Sequence, residues 1–192
     1  MKAKHILLGC ALAALSANAV AADKTGKGYV GVGYSMMTVS PELLGDYDLS
    51  ALGVRGGYFF NKYFSVEGRL AFGIGDDSKT YTDGIDFVTL KLELDNSIGV
   101  YALGHIPVSD QFELYGLIGF TQVEVTGSAS GTLGSGSDSY SDSDLSFGVG
   151  AEFNMTPALS LGLEYTSYIT DGEIEFLKYD ADAINFAVNF YF

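Results

Sequence analysis

The stretch AINFAVNFYF, residues 183–192, alternates large apolar residues with small or polar ones. Side chains of a β-strand point to opposite faces in turn, so one face carries Ile184, Phe186, Val188, Phe190 and Phe192. The opposite face carries Asn185, Ala187, Asn189 and Tyr191. In water the first face would need a second layer of protein to cover it. The pattern therefore predicts a strand with an apolar medium on one side.

The same period-two alternation recurs along the chain. It is found in seven further stretches, at residues 28–37, 51–60, 63–74, 87–106, 112–125, 144–154 and 159–168. In the long stretch 87–106, strict alternation puts Leu92 and Leu94 on the apolar face and Lys91, Glu93 and Asp95 on the other. Together with residues 183–192, the pattern predicts eight strands.

The connections between these strands alternate between short and long. The short ones are Asn61–Lys62, 107–111 and 155–157, whereas the long ones are about 40–48, 76–86, 127–143 and 169–182. An up-and-down meander of eight antiparallel strands puts all short turns at one end and all long loops at the other. Outer-membrane barrels have this anatomy, with short periplasmic turns and long extracellular loops. The expected fold is all-β, an eight-stranded antiparallel up-and-down transmembrane β-barrel.

Residues 1–22 have the pattern of a cleaved secretory signal peptide. Lys2 and Lys4 precede the apolar run at 6–15, and the small residues at 17–22 form a cleavage site after Ala21 or Ala22. A lipoprotein reading of LLGC, residues 7–10, would leave a second apolar run in the mature chain. We expect one mature domain, residues 23–192, without the lone Cys10 and therefore without disulfides.

The composition of the mature chain excludes some functions. Without Lys2 and Lys4, 8 basic residues face 24 acidic ones, a formal net charge of −16, which argues against binding nucleic acid. Yet 47% of residues are hydrophobic, which is atypical of an acidic disordered chain. The full sequence has 25 Gly, 13 Tyr and 13 Phe and no helical period, which favours an all-β protein.

The second face of each predicted strand decides between a membrane barrel and a soluble one. A soluble secreted β-barrel or sandwich would bury the bulky face and expose the other to water. That second face is mostly Gly, Ala and Ser, whereas solvent-facing strand positions favour Thr, Lys and Glu. Small residues suit a narrow lumen crowded by eight strands, and closure pairs every backbone group in lipid. The composition therefore favours the membrane barrel.

Three stretches resemble the small eight-stranded outer-membrane barrels of the OmpA and OmpX types. They are YFSVEGRLAFG (63–73), FGVGAEFNMTPALSLGLEY (147–165) and NFAVNFYF (185–192). The resemblance spans the mature chain and implies the outer membrane of a Gram-negative bacterium, with periplasmic termini and extracellular loops. It also implies that the last strand is the signal read by the barrel-assembly machinery, through Phe186, Val188, Phe190 and Phe192.

This family resemblance does not select an activity. Its members include structural anchors, adhesins, narrow channels and a few lipid-modifying enzymes, and a shared fold does not choose among them. The sequence has no C-terminal peptidoglycan-binding domain, so tethering to the cell wall is not supported. We expect a monomer with a structural or surface-interaction role. A narrow gated pore is the alternative.

Five charged residues fall on the predicted inward face, and they come from four different strands: Arg55, Glu67, Arg69, Glu152 and Glu164. Isolated charges in a narrow, partly dry lumen are costly unless they are paired. One hypothesis is therefore a buried ion-pair network that plugs the barrel. The other is a gate, in which the pairs exchange and let water or ions pass.

His105 is the only histidine of the predicted mature chain, so it is the one candidate for a serine–histidine–acid mechanism. It lies next to the short connection 107–111, at the predicted periplasmic end, and no serine or carboxylate partner is evident at the outer rim. We interpret it as a rim or turn histidine and expect no catalysis and no cofactor.

The long loops are rich in Asp and Glu. The low-complexity loop 127–143 and its flank carry Asp138, Asp142 and Asp144, but without the spacing of a calcium loop, so no metal site is expected. The other loops carry Glu42, Asp46, Asp48, Asp76, Asp77, Asp83, Asp86, Asp171, Glu173, Glu175, Asp180 and Asp182. These acidic loops form a repulsive solvated surface, bridge through divalent cations to lipopolysaccharide phosphates, or contact a basic partner.

Overall fold

The computed structural model describes residues 23–41, 45–82, 86–132, 134–174 and 177–192. The predicted signal peptide 1–22 and the loop residues Glu42, Asp83 and Glu175 lie outside the described residues, as do the side chains of Asp171 and Glu173. Within these ranges, no helix is long and apolar enough to cross a membrane.

The described chain forms nine antiparallel strand segments: β1 Gly28–Pro41, β2 Tyr47–Asn61, β3 Phe64–Gly73, β4 Asp76–Thr82, β5 Phe87–Pro107, β6 Phe112–Gly131, β7 Gly134–Thr156, β8 Leu159–Ile174 and β9 Leu177–Tyr191. Both β3 and β4 pair with β5, so they are two parts of one barrel strand, separated at Ile74 and Gly75. The pairing of β3 with β5 closes the ring. The predicted eight-stranded up-and-down barrel is confirmed.

Within the closed ring, which excludes the start of β5, the predicted outward face is confirmed. Large apolar side chains point away from the lumen and stay exposed, and Val100 and Phe120 reach 66% and 69% exposure. In β9 the outward set is Ile184, Phe186, Val188 and Phe190, and Phe192 continues it just after the strand ends. In a lone soluble barrel this band would leave its apolar area in water, so it marks the surface that lipid covers.

The facing prediction is wrong at the start of β5. A register shift between Leu94 and Asn96 inserts an extra residue opposite β6 and reverses which side chains point inward. Leu94 is buried in the lumen cluster with Leu92 packed against it, whereas Glu93 is exposed. Strict alternation put the two leucines outside and Glu93 inside, because a bulge leaves no mark in a period-two pattern.

Tyrosine rings fill the lumen over glycines. A Cβ added to Gly57 would lie 2.4 Å from the Tyr29 ring, and one added to Gly150 would lie 2.4 Å from the Tyr115 ring. Tyr101 covers Gly99 in the same way. The Gly-rich inward face is therefore the space that these rings occupy, which is a known way to pack glycines in strands.

Gly150→Ala tests this packing. The new methyl group would overlap the Tyr115 ring, so we expect the free energy of unfolding to fall by about 1–3 kcal/mol. Gly162→Ala is the matched control on the neighbouring strand, because its nearest heavy atoms would lie 3.7 and 3.9 Å away, at ordinary contact distance. Urea unfolding in lipid vesicles measures both, and equal midpoints would refute the packing argument.

The hairpins extend far beyond the ring. A tilted strand needs about 9–11 residues to cross a bilayer, whereas β5, β6 and β7 have 21, 20 and 23 residues. The predicted long loop 127–143 is therefore wrong, since β6 pairs with β7 all the way to Gly131 and Gly134. Much of the predicted loops at 76–86 and 169–182 is also strand, in β4, β8 and β9.

Two names follow from this geometry. The protruding sheet is formed by residues 76–82, 87–95, 124–131 and 134–146, which lie beyond the closed ring. The free edge is residues 134–143 of β7, because the ladder between β7 and β8 begins only at Phe147. This end of the barrel is the hairpin end, and the opposite one, with the short connections and residues 23 and 192, is the turn end.

Candidate functional site

The middle of the lumen holds the central network, made of Arg55, Glu67, Arg69 and Glu164. Arg55 and Arg69 face each other as neighbours on β2 and β3, and Glu67 lies two residues before Arg69. Glu164 comes from β8 on another side of the ring. The inward facing of alternate residues and the closure of the ring therefore bring two cations and two anions together.

Arg69 makes the tight ion pairs of the central network. Its Nη1 and Nη2 donate to the two oxygens of Glu164 at 2.5 and 2.8 Å, and its Nε donates to Glu67 Oε1 at 2.5 Å. Such a two-pronged contact uses the planar fork of the guanidinium. Arg55 Nη1 lies further away, 3.8 Å from Glu67 and 3.9 Å from Glu164, so it neutralises the pair without close hydrogen bonds.

Neutral side chains donate further hydrogen bonds to the two carboxylates. Tyr29 donates to Glu67 at 2.6 Å, whereas Tyr115 at 3.0 Å and Thr166 at 2.6 Å donate to Glu164. The Tyr101 ring lies 4.5 Å from the Arg69 guanidinium carbon. Buried charges need this many partners to be tolerated. Each carboxylate oxygen of Glu67 and Glu164 therefore has at least one hydrogen-bond donor.

The central network leaves little room for water. The cavity next to it, lined by Arg55, Arg69, Tyr101 and Tyr168 among others, has about 30 Å³, which holds one or two waters. Toward the hairpin end, an apolar cluster that includes Met37, Leu49, Leu94, Val123 and Ile169 fills the lumen. Ion pairs and apolar side chains together fill most of the described lumen.

Glu152 belongs to a second cluster, the mouth network, which sequence reasoning did not find. It lies near the turn end and consists of Lys24, Ser65, His105, Glu113, Glu152 and Tyr191. Lys24 Nζ lies 2.6 Å from Glu152 Oε1 and 3.3 Å from Glu113 Oε1. The predicted set of five lumen charges is thus split, with four residues in the central network and Glu152 in the mouth network.

The interpretation of His105 as a rim or turn histidine is wrong. Its side chain is buried in the lumen, with Nδ1 2.9 Å from Glu113 Oε1 and Nε2 2.8 Å from Ser65 Oγ. Because a carboxylate only accepts, Nδ1 carries a proton toward Glu113, and in the neutral ring Nε2 accepts from the Ser65 hydroxyl. This is the hydrogen-bond order of a serine–histidine–acid triad.

Weak signals in the sequence could have located the mouth network. Glu113 alternates with Tyr115 and Leu117, which point inward, so it lies on the same face of its strand. Ser65 likewise lies on the same face as Glu67. Lys24 precedes every predicted strand, so no alternation pattern reaches it. Its position next to the predicted cleavage site would be the only hint.

The protruding sheet is acidic and exposed. Asp138 is exposed on the free edge, and Asp142 accepts a hydrogen bond from Tyr179 at 2.6 Å. Burial, together with this carboxylate, raises the pKa of Tyr179. Lys91 lies 3.1 Å from Glu93 and 3.5 Å from Asp76, and the hydrogen bond to Glu93 raises its pKa. Within the described ranges, no group of three or more His, Cys, Asp or Glu side chains could hold a metal ion.

Several solved structures share this fold. Ail, the attachment invasion locus protein of Yersinia pestis, matches with a TM-score of 0.58 and 18% identity, covering 88% of this chain and 99% of Ail. Neisserial surface protein A matches with a TM-score of 0.54 and 19% identity over 86% of this chain and 98% of that one. OprG of Pseudomonas aeruginosa matches with 0.51 and 10% identity over 88% and 97%. These low identities show the fold alone.

No curated protein matches the sequence at a significant level. The family model described as outer membrane protein beta-barrel domain, however, matches residues 7–192. The match spans nearly the whole chain, including every strand of the ring and the protruding sheet. Like the exposed apolar band, this match favours the membrane barrel over the soluble one. The chain belongs to the outer membrane protein beta-barrel domain family and is a barrel of the Gram-negative outer membrane.

Proposed function

We propose that this protein is a closed outer-membrane barrel that presents its protruding sheet to a polypeptide partner outside the cell. The observation that carries the proposal is the free edge, residues 134–143. It pairs with β6 on one side, whereas on its other side the ladder with β8 begins only at Phe147. Most of its side chains are exposed. An edge of this kind is a template for a strand from another chain.

The partner that suits this edge is an extended segment rich in Lys and Arg. The free edge itself carries Asp138 and Asp142, with Asp144 next to it, and its remaining residues are Gly, Ser and one Tyr. Small side chains let another backbone approach, while the carboxylates select for basic residues and repel a second copy of this acidic edge. The acidic edge therefore favours a basic partner and a monomeric barrel.

The anatomy of the barrel supports an orientation. Outer-membrane barrels keep short turns on the periplasmic side and long hairpins outside. The protruding sheet would therefore stand among the lipopolysaccharide headgroups, with both termini in the periplasm. Bridging of its carboxylates to lipopolysaccharide phosphates by divalent cations is part of this proposal, through dispersed surface charges rather than a built metal site.

Shortening the hairpin tests the partner proposal. Replacing residues 125–140 by Asn-Gly removes most of the free edge, including Asp138. It joins Glu124 to Ser141, which face each other in the ladder, and leaves the ring intact. We expect the wild type in nanodiscs to bind a fluorescent Lys-rich peptide of high β propensity and the shortened variant to bind it at least tenfold more weakly. An acidic peptide of the same β propensity is the control. Equal binding of the basic peptide by both barrels would refute the proposal.

The plugged lumen supports a non-conducting barrel. We expect the wild type to give no single-channel steps in planar bilayers, because the cavities beside the two networks have about 30 and 10 Å³. One observation favours the gated pore as the second candidate: Arg55 lies 3.8–3.9 Å from both carboxylates that Arg69 binds, so the pairs could exchange. Regular conductance steps in the wild type, altered by Glu164→Gln, would favour the gate.

The proposal includes no catalysis, although Ser65, His105 and Glu113 have the order of a triad. A nucleophile needs access and an enclosed site that accommodates the acyl group. Ser65 is 2% exposed, and the cavity beside His105 has about 10 Å³, which is too small for a substrate. These hydrogen bonds serve to fix Glu113 in the lumen.

The last strand is proposed to be read by the barrel-assembly machinery. Phe192 is 70% exposed, and its backbone exchanges hydrogen bonds with Gly28 at 3.0 and 3.2 Å. We expect deletion of Phe192 to lower the amount of folded barrel in cellular outer membranes several-fold, while refolding in detergent stays nearly normal. Phe153→Ala, an outward aromatic residue of β7, is the control. Equal outer-membrane yields for the deletion and the wild type would contradict this role.

A further inference from the structure

Lys24 belongs to the mouth network but, unlike its other members, does not come from a barrel strand. It precedes β1, yet its side chain is only 6% exposed, inside the turn end. A turn at Gly26, where φ is +75°, reverses the chain. Gly26 N donates to Phe59 O at 2.8 Å, and Phe59 N donates to Lys27 O at 3.0 Å. These bonds fix the segment 24–27 across the end of β2.

The surroundings of Lys24 match the needs of a primary ammonium group. An ammonium has three N–H donors. Its Nζ has three acceptors, namely Glu152 Oε1 at 2.6 Å, Glu113 Oε1 at 3.3 Å and Tyr191 OH at 3.3 Å. The rings of Tyr191 and Phe59 lie 4.5 and 5.4 Å from Nζ, within the range of cation–π attraction.

This ammonium position is supplied by the barrel and only filled by the N-terminal segment. The acceptors and rings come from β2, β6, β7 and β9. The described ion pairs of Arg55 and Arg69 are with Glu67 and Glu164, so the arginines serve the central network. Without Lys24, Glu152 would keep only neutral donors, Asn189 and Tyr191. A buried carboxylate without a cation is costly, so the site has affinity for an amine.

We propose that the turn end of the lumen is a binding site for primary ammonium groups, occupied in cis by Lys24, and that this contact closes that end of the barrel. In this structure the N-terminal segment acts as a tethered ligand, whose effective concentration keeps the site filled. When Lys24 is absent, a small alkylamine of matching length takes its place. The site goes beyond the surface role proposed above, because it lies at the opposite end of the barrel.

Chemical rescue of Lys24→Ala tests the site. The substitution removes three carbons and the ammonium, which n-propylammonium replaces atom for atom. We expect Lys24→Ala to lower the urea midpoint of the barrel in vesicles, and n-propylammonium chloride to restore at least half of that loss relative to sodium chloride at equal ionic strength. If the variant refolds poorly, the folded fraction on gels, with and without the amine, gives the same comparison.

Three controls make the test specific. Lys27→Ala, in the same segment but partly exposed, should show neither the loss nor the rescue. Tetramethylammonium, which has the charge but no N–H donors, should not rescue Lys24→Ala. Adding Glu152→Gln to Lys24→Ala should abolish the rescue, because the closest acceptor at 2.6 Å is then neutral. Absence of rescue, or equal rescue in any of these controls, would overturn the proposal.

Discussion

Arg69→Met will lower the free energy of unfolding by about 3–5 kcal/mol, the cost of breaking a buried ion pair by removing one partner. Arg69 is the residue that binds both oxygens of Glu164 and also Glu67, with all three distances at or below 2.8 Å. After the substitution, two carboxylates share the more distant Arg55 in a lumen with almost no water. Methionine keeps most of the side-chain volume, so the loss reports charge rather than a cavity.

Urea unfolding in lipid vesicles measures this loss, followed by tyrosine fluorescence and gel mobility because the chain has no Trp. Arg55→Met is the matched control. Its nearest carboxylate oxygens lie 3.8 and 3.9 Å away, so we expect a clearly smaller loss. Adding Glu164→Gln to Arg69→Met should recover part of the stability, since one unpaired charge is then removed. An unchanged midpoint for Arg69→Met would mean that the central network does not hold the barrel together.

The central network could be predicted from the sequence because period-two alternation fixes the facing of each strand independently. Arg55, Glu67, Arg69 and Glu164 lie in strands whose apolar faces are unambiguous, so their inward position followed directly. Which of them touch could not be predicted. Glu164 meets Arg69 only because of where the ring closes and how the strands are staggered, and neither is encoded in any one strand.

The contacts within the mouth network could not be predicted from the alternation pattern. Glu113 stands at the start of β6, and Lys24 lies in a turn held by backbone bonds to Phe59. Their meeting with Glu152 depends on the chain folding back into its own lumen. The position of His105 could not be predicted for a related reason. Its nearness to a short connection suggests an exposed position at the rim of the barrel. However, it lies on the inward face of β5, which continues to Pro107, and it is therefore buried.

The hairpins illustrate a limit of composition. Gly, Ser and Asp are poor strand formers, so residues 127–143 read as a loop. Residues 134–143 nevertheless pair with β6, which contributes Val123 and Val125 to the ladder. This ladder continues from the barrel without a register shift. Ladder pairing with an already formed neighbour outweighs the low propensity of each residue. The bulge at Leu94 is equally invisible, because it changes the register between β5 and β6 and leaves the composition unaltered.

Leu163→Arg will destabilise the barrel by about 2–4 kcal/mol, the cost of an arginine on the lipid face at the bilayer midplane. Leu163 is 50% exposed and pairs with Ala151 in the middle of the ladder between β7 and β8. Its backbone neighbour Glu164 points into the lumen and binds Arg69, so residue 163 lies on the opposite, outward face of the strand. The prediction therefore tests the facing of β8 as well as the membrane itself.

Two variants separate charge from position in this experiment. Leu163→Ala gives the loss due to truncation alone. Leu145→Arg places the same charge outward on β7, just before its ladder with β8 begins at Phe147, near the hairpin-side boundary of the bilayer. There we expect a cost of about 0–1 kcal/mol, because arginine reaches the headgroups from an interfacial position. Unfolding free energies in vesicles measure both costs. If Leu163→Arg costs no more than Leu145→Arg, residue 163 does not face the apolar centre of a membrane. The exposed apolar band of the barrel would then be covered by something other than lipid.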